Sequence, residues 1–228
     1  MQENKLNNYL QLHLIVFIWG FTAILGALIS LDAIPLVWYR MSLAVLFIVL
    51  YFVVKKKSFK VDKKGIVKFF ATGVIIALHW IFFFKAIKVS NISVALVTMS
   101  TGAFFVALIE PVFFKRKINP LEMLLGLIVI LGLYIIFNFE SQYKLGIIYA
   151  LIASFLSALF SVFNGLFIKE YAADTISLYQ LVFGVLFITV YLLATSGFSI
   201  SFFVIPTSDW MYLFVLSSIC TAYAFIAS

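Results

Sequence analysis

Three ionisable residues sit where water is scarce. Arg40, His79 and Glu110 each fall inside a long apolar run, and a charge held in such a run costs about 3 kcal/mol or more at the centre of a bilayer, so it marks function by default. An arginine there attracts an anion, or snorkels its head group to the nearby surface. A histidine, with an unperturbed pKa of about 6.5, binds solute or relays a proton, or simply stays neutral and bonds a neighbouring helix. A carboxylate at Glu110 couples an ion, or pairs with the cations Lys115, Arg116 and Lys117 just beyond it. Around these stand neutral groups able to line a polar cavity: Thr98, Thr101, Asn164 and Gln180, with Trp19 and Tyr39 as aromatic wall.

Catalytic chemistry finds little support. The two histidines, His13 and His79, are far apart, Cys220 is the one thiol, and no His-x-x-x-His or Asp-x-x-Asp spacing occurs. No Gly-x-x-x-x-Gly-Lys-[Ser/Thr] loop is present to cradle phosphates. The sequence therefore implies no enzyme, no metal and no cofactor.

The elements that carry these residues are set by hydropathy. With 65% hydrophobic and 11% charged residues among 228, the chain cannot cover a water-facing surface. Eight apolar spans are expected, at roughly 10–31, 35–54, 66–86, 91–114, 121–139, 144–168, 176–195 and 209–228, each near the ~20 residues that cross a bilayer. The first has a thin basic head and no convincing cleavage site, and reads as a retained helix. The +7 net charge does not indicate nucleic acid, because the cations cluster in linkers. Seven lie between Lys55 and Lys68 and three at Lys115–Lys117. With Lys5 and Lys169, twelve of the sixteen fall on one side, which puts the N-terminus in the cytoplasm and the protein in the cytoplasmic membrane. Lys85 and Lys88 are expected to snorkel at the outer side.

The chain also repeats itself. Leu36–Val54 returns 140 residues later as Ile176–Ala194, with six of nineteen positions identical: Tyr39/Tyr179, Val45/Val185, Leu46/Leu186, Phe47/Phe187, Ile48/Ile188 and Tyr51/Tyr191. Arg40 faces Gln180 in this alignment. A unit of five spans is odd, so its second copy enters the membrane from the opposite side. The expected fold is an all-α membrane protein, eight transmembrane helices of a 5+5 inverted-repeat bundle, with its solute site near mid-depth where the halves meet. Residues 1–143 form the first repeat and 144–228 an incomplete second one of three helices. On that reading the chain is truncated, and a complete version runs to about 285 residues.

Several short features together resemble the drug/metabolite transporter superfamily, EamA-type permeases. They are Trp19-Gly20, Arg40, Ala86-Ile87-Lys88-Val89-Ser90, Glu110-Pro111, the pair Gly126 and Gly132, and Cys220-Thr221-Ala222-Tyr223. Gly102 stands where such proteins often have Pro, and Arg116 where they often have an acidic residue. The resemblance implies a ten-helix exporter or importer of small metabolites or drugs, with a central cavity and alternating access. Its partners are a small-molecule solute and the lipid bilayer, not nucleic acid; a homodimer is left open. A non-transporting membrane scaffold and a membrane-embedded enzyme are the competing readings.

Four local expectations follow. On the fourth span, Thr98, Thr101 and Phe105 share one face and Met99, Ala103, Val106 and Glu110 another; one stripe meets the cavity and the other a neighbour. Pro111 removes a backbone donor and is expected to kink this span. Ser157, Ser161 and Gly165, four apart, read as a close-packing seam. Trp38 and Trp210 belong to the interfacial belt, while Trp19 and Trp80 lie deep enough to line a cavity.

Overall fold

A computed structural model describes residues 2–139 and 141–227, almost wholly helical and without strands among them. Ser228, the end of the last expected span, lies outside the described residues. The helices are α1 (Gln2–Leu28), α2 (Ala33–Val54), α3 (Lys63–Val89), α4 (Ile92–Met99), α5 (Gly102–Phe114), α6 (Pro120–Phe139), α7 (Lys144–Phe167), α8 (Ala173–Ala194), α9 (Ile200–Phe203), α10 (Thr207–Ser217) and α11 (Ala224–Ala227). Among the described residues, eight spans are long and apolar enough to cross a membrane, with α4–α5 and α10–α11 each making one.

Local chemistry sets the ends. Asp62 Oδ1 accepts from the Gly65 amide at 3.1 Å and Asn91 Oδ1 from the Val94 amide at 2.8 Å, capping α3 and α4. Pro120 opens α6, where its missing N–H is no loss. Lys56 and Ser196, 140 residues apart, both turn the chain just past a helix end in the left-handed region, at φ 51° and 52°.

The fourth span breaks elsewhere than expected. It is interrupted at Ser100-Thr101, while α5 runs on through Pro111. The hydroxyls compete with the helix there: Thr98 Oγ1 donates to Val94 O at 2.7 Å and Thr101 Oγ1 to Thr98 O at 2.7 Å. The Met99 carbonyl is met by Ser154 Oγ of α7 at 3.1 Å. Irregular backbone at membrane depth persists only where a neighbour satisfies it in this way. A second irregularity follows α10: Ser218–Tyr223 is a π-helical turn.

Helix α3 is the hub, packed on α7 and α8, and α2 lies against α8. The α3–α8 crossing is close because two glycines meet: a Cβ on Gly73 would stand 2.5 Å from the Gln180 carbonyl oxygen, and one on Gly184 3.0 Å from the Gly73 carbonyl oxygen. Helices α2 and α8 run antiparallel. Trp38, near the start of α2, donates through Nε1 to Thr189 Oγ1 near the end of α8 at 2.9 Å. Helix α6 is peripheral, with 6% of its span buried, and Leu127, Leu131 and Ile135 turn outward as lipid-facing surface.

Candidate functional site

Helices α1, α2, α3, α4, α7 and α8 leave a cavity of about 490 Å³ between them, with Phe225 of α11 also in its wall. Of the residues expected at a solute site, it brings together Trp19, Arg40, His79 and Asn164.

Arg40 is the charged member. It lies about four residues, ~6 Å along the axis, from the middle of α2, and is 1% exposed, so its head group turns inward rather than snorkelling. Nε donates to Thr221 Oγ1 at 2.8 Å. Thr221 in turn donates to the Leu216 carbonyl at 2.8 Å, across the π-helical turn. The guanidinium carbon sits 3.9 Å from the centre of the Trp80 ring and 5.5 Å from that of Phe84. A desolvated cation over an indole face gains about 2 kcal/mol, which offsets part of the burial. Nη1 is buried with no hydrogen-bond partner among the described residues. No carboxylate among them forms an ion pair with Arg40; those pairs belong to Lys57, Lys68 and Arg116.

His79 stands beside it on α3. Nδ1 lies 2.8 Å from the Ala153 carbonyl of α7. A carbonyl only accepts, so Nδ1 carries the proton and donates, which fixes the tautomer and the plane of the ring. Phe83 stacks on the imidazole and Phe160 meets its edge, with centroids at 6.2 and 5.4 Å. Across the cavity, Asn164 Oδ1 accepts from Gln180 Nε2 at 2.6 Å, and the same nitrogen is 2.8 Å from Thr72 Oγ1. Gln180 thus holds the wall residue from behind and is itself fully buried.

The remaining expected residues stand elsewhere. Tyr39 points away from the cavity, donating to the Phe202 carbonyl at 3.2 Å and stacking on Phe202 at 5.3 Å. Thr98 and Thr101 face α7 with Ser154, at 2.9 Å from Thr101 Oγ1, so it is the other stripe of the fourth span, through Leu96 and Met99, that meets the cavity. Glu110 accepts from Arg116 Nη2 at 2.9 Å in a partly exposed pair, with Glu122 sharing the same nitrogen at 3.3 Å. Two carboxylates, Glu122 and Glu110, accept from Arg116 this way, and they raise its guanidinium above the ordinary arginine value. Lys88 does not merely snorkel: its ammonium donates to the Ile29 carbonyl.

The α7 seam needs correcting. Ser157 and Ser161 line the cavity, and Gly165 both lines it and packs on α5, where a Cβ would stand 3.2 Å from the Phe114 ring. With Phe160, Asn164 and Ile168 they make one continuous face at 3- and 4-residue spacing. Reading that sequence stripe together with Asn164 would have found it. Thr221 was also missed as a partner of Arg40, because no spacing rule ties residues 181 positions apart.

The cavity runs from Arg40 and His79 at mid-depth to Ile168 and Ala173 at the α7–α8 turn. The lysine-rich stretch 55–68 lies at that same end. Lys57 pairs with Asp174 at the start of α8, and this hydrogen bond raises the lysine above its usual range. Nearby, Asp62 Oδ1 accepts from the Tyr171 hydroxyl at 2.6 Å. That bond holds the carboxyl below its usual range and pushes the phenol up to about 12. At the opposite end, Trp38, Tyr39, Phe198, Phe202 and Trp210 form a compact aromatic cluster, with centroids 4.9 to 5.8 Å apart.

An apolar bundle of eight spans, with a buried arginine on a cavity at mid-depth, defines a polytopic membrane protein with an internal polar site. A model of the EamA-like transporter family matches residues 7–138. That is more than half of the chain, which belongs to this family; it is thus an integral membrane protein of the small-solute transporter class. No curated protein matches it. A solved structure described as "Crystal structure of protein" is similar in fold, with a TM-score of 0.70 and 14% identity over 97% of this chain and 77% of that one.

Proposed function

We propose that the chain is a secondary transporter that moves small organic metabolites or drugs across the cytoplasmic membrane by alternating access, with its N-terminus in the cytoplasm. Residues 1–143 and 144–228 are two repeats threaded in opposite senses, and the cavity between them is the solute site.

The observation that carries this reading is a reciprocal pair of contacts. Tyr39 donates to the Phe202 carbonyl and its ring meets Trp210; Tyr179 donates to the Phe59 carbonyl and its ring meets Phe69. Shifting 39, 59 and 69 by 140 to 143 gives 179, 202 and 210. Each half therefore holds the other by the same groups, the pattern a twofold relation makes and a side-by-side duplication does not. The antiparallel run of α2 against α8 supports an axis in the membrane plane. The cavity draws on both sides of the division: Trp19, Arg40 and His79 from one, Ser161, Asn164 and Phe225 from the other.

Flux into proteoliposomes tests the proposal. A panel of labelled organic acids, amines, amino acids and sugars should include at least one solute carried faster than by empty liposomes. Ser161→Trp, which fills the cavity, should stop that flux. No flux for any solute in the panel would favour the scaffold reading, and solute turnover in detergent without a gradient would favour an enzyme.

A further inference from the structure

We propose that the cavity takes a small organic anion, with an apolar or aromatic body and a carboxylate held by Arg40. The inference rests on the transporter reading for its meaning but on the cavity alone for its evidence.

Arginine keeps its charge in any protein environment and carries five N–H donors in a planar fork. Arg40 spends Nε on Thr221 and its face on Trp80, which leaves Nη1 buried and unmatched on a residue that lines the cavity. A buried charge without a counter-charge is strongly disfavoured. The guanidinium is held by Thr221 on one side and by Trp80, itself part of the cavity wall, on the other, and the unmatched Nη1 is the donor left for a ligand to take. A carboxylate matches that donor in shape and charge.

Charge excludes the opposite choice. Among the described residues that line the cavity there is no Asp or Glu, so an amine or quaternary ammonium would meet Arg40 with nothing to balance either charge. The rest of the wall selects the body of the solute. Trp19, Trp80, Phe83, Phe160 and Phe225 present ring surface, and Ser157, Ser161 and Asn164 give a polar strip along α7. A volume of about 490 Å³ lies within the roughly 300–1,000 Å³ of ordinary small-molecule sites. A bare inorganic anion would satisfy Nη1 and leave the aromatic wall unused. Finally, the cavity runs toward the lysine-rich end, with Lys57 beside Asp174 at the α8 start, and a basic rim raises the local concentration of anions.

The test is a charge series of one shape. The full 228-residue chain in nanodiscs is titrated with 3-phenylpropionate, 3-phenylpropionamide, 3-phenylpropylamine and chloride, read by tryptophan fluorescence. The carboxylate should bind about 10-fold or more tighter than the amide, because a site with a buried donor rejects a ligand that leaves it unpaired, and the amine should bind weakest. Arg40→Gln should erase the preference, and Arg40→Lys should keep part of it. The wild-type series stands even if a variant does not fold. Equal affinity across the series, a preference that survives in Arg40→Gln, or binding of chloride but not of the carboxylate would each overturn the proposal. Carboxylate preference without flux in proteoliposomes would overturn transport and leave the anion site standing. Flux of amines or neutral solutes without anion preference would do the reverse.

Discussion

Arg40 and Thr221 meet across two helices that are both unusual at the contact: a charged residue inside α2, and a threonine inside a π-helical turn. The turn frees backbone geometry so that the Thr221 hydroxyl can accept from Nε while donating to the Leu216 carbonyl. Such bulges recur at functional positions for this kind of reason. The arginine is aimed by this bond, and it is the one charged residue in the cavity wall among the described residues.

Thr221→Val removes the acceptor and keeps the shape. It should lower stability by about 1–2 kcal/mol, the cost of leaving a buried charged donor unmatched, read as a lower midpoint of thermal unfolding in detergent. Thr221→Ser should restore most of the loss. Unchanged midpoints for both would mean that Arg40 finds another partner.

Tyr39→Phe and Tyr179→Phe delete reciprocal hydrogen bonds of different burial. The Tyr39 bond is buried and the Tyr179 bond is exposed to solvent. Water can replace the second donor and not the first. The expected losses are about 1 kcal/mol for Tyr39→Phe and less for Tyr179→Phe, measured by the same melts.

Gly73→Val places a branched side chain 2.5 Å from the Gln180 carbonyl at its first carbon. Backbone cannot yield there as a flexible side chain could, so α3 and α8 must part. A loss of roughly 1–3 kcal/mol or more is expected from overpacking, with poor recovery of folded protein on size-exclusion chromatography. Gly132→Ala meets nothing within 4 Å and should be tolerated.

The Asp62–Tyr171 bond sets a pH dependence with a definite sign. The Asp62 carboxyl is held low in the fold, so its contribution is present above the unfolded aspartate value of about 3.9 and fades as pH falls through the folded one. Tyr171 is pushed up to about 12, so its share is full below about 10 and is lost as pH rises through the folded value. Difference titration at the phenolate absorbance should show one tyrosine of wild type moving down toward 10 in Asp62→Asn.

Hydropathy and charge made the eight spans legible, because length and apolarity are properties of each stretch alone. The deep polar residues Arg40, His79 and Asn164 were legible for the same reason. What neighbour each face meets is not local. Periodicity put Thr98 with Thr101 on one stripe and Met99 on another, but only packing against Ser154 decides that the threonines turn to α7 and Met99 to the cavity. Ser157 and Ser161 carry the small-residue spacing of a helix contact, and spacing cannot tell a contact from a wall. The break at Ser100-Thr101 is not legible in sequence, because three hydroxyls that bond backward weaken a helix less visibly there than the proline at 111.

The central claim is that equivalent ends of α2 and α8 lie on opposite faces of the membrane. Single cysteines at Lys55→Cys and Thr195→Cys, each in a Cys220→Ser background, occupy equivalent positions just past these helices. A membrane-impermeant maleimide applied to sealed, oriented vesicles should label one from inside only and the other from outside only. Labelling of both from the same side would contradict the account.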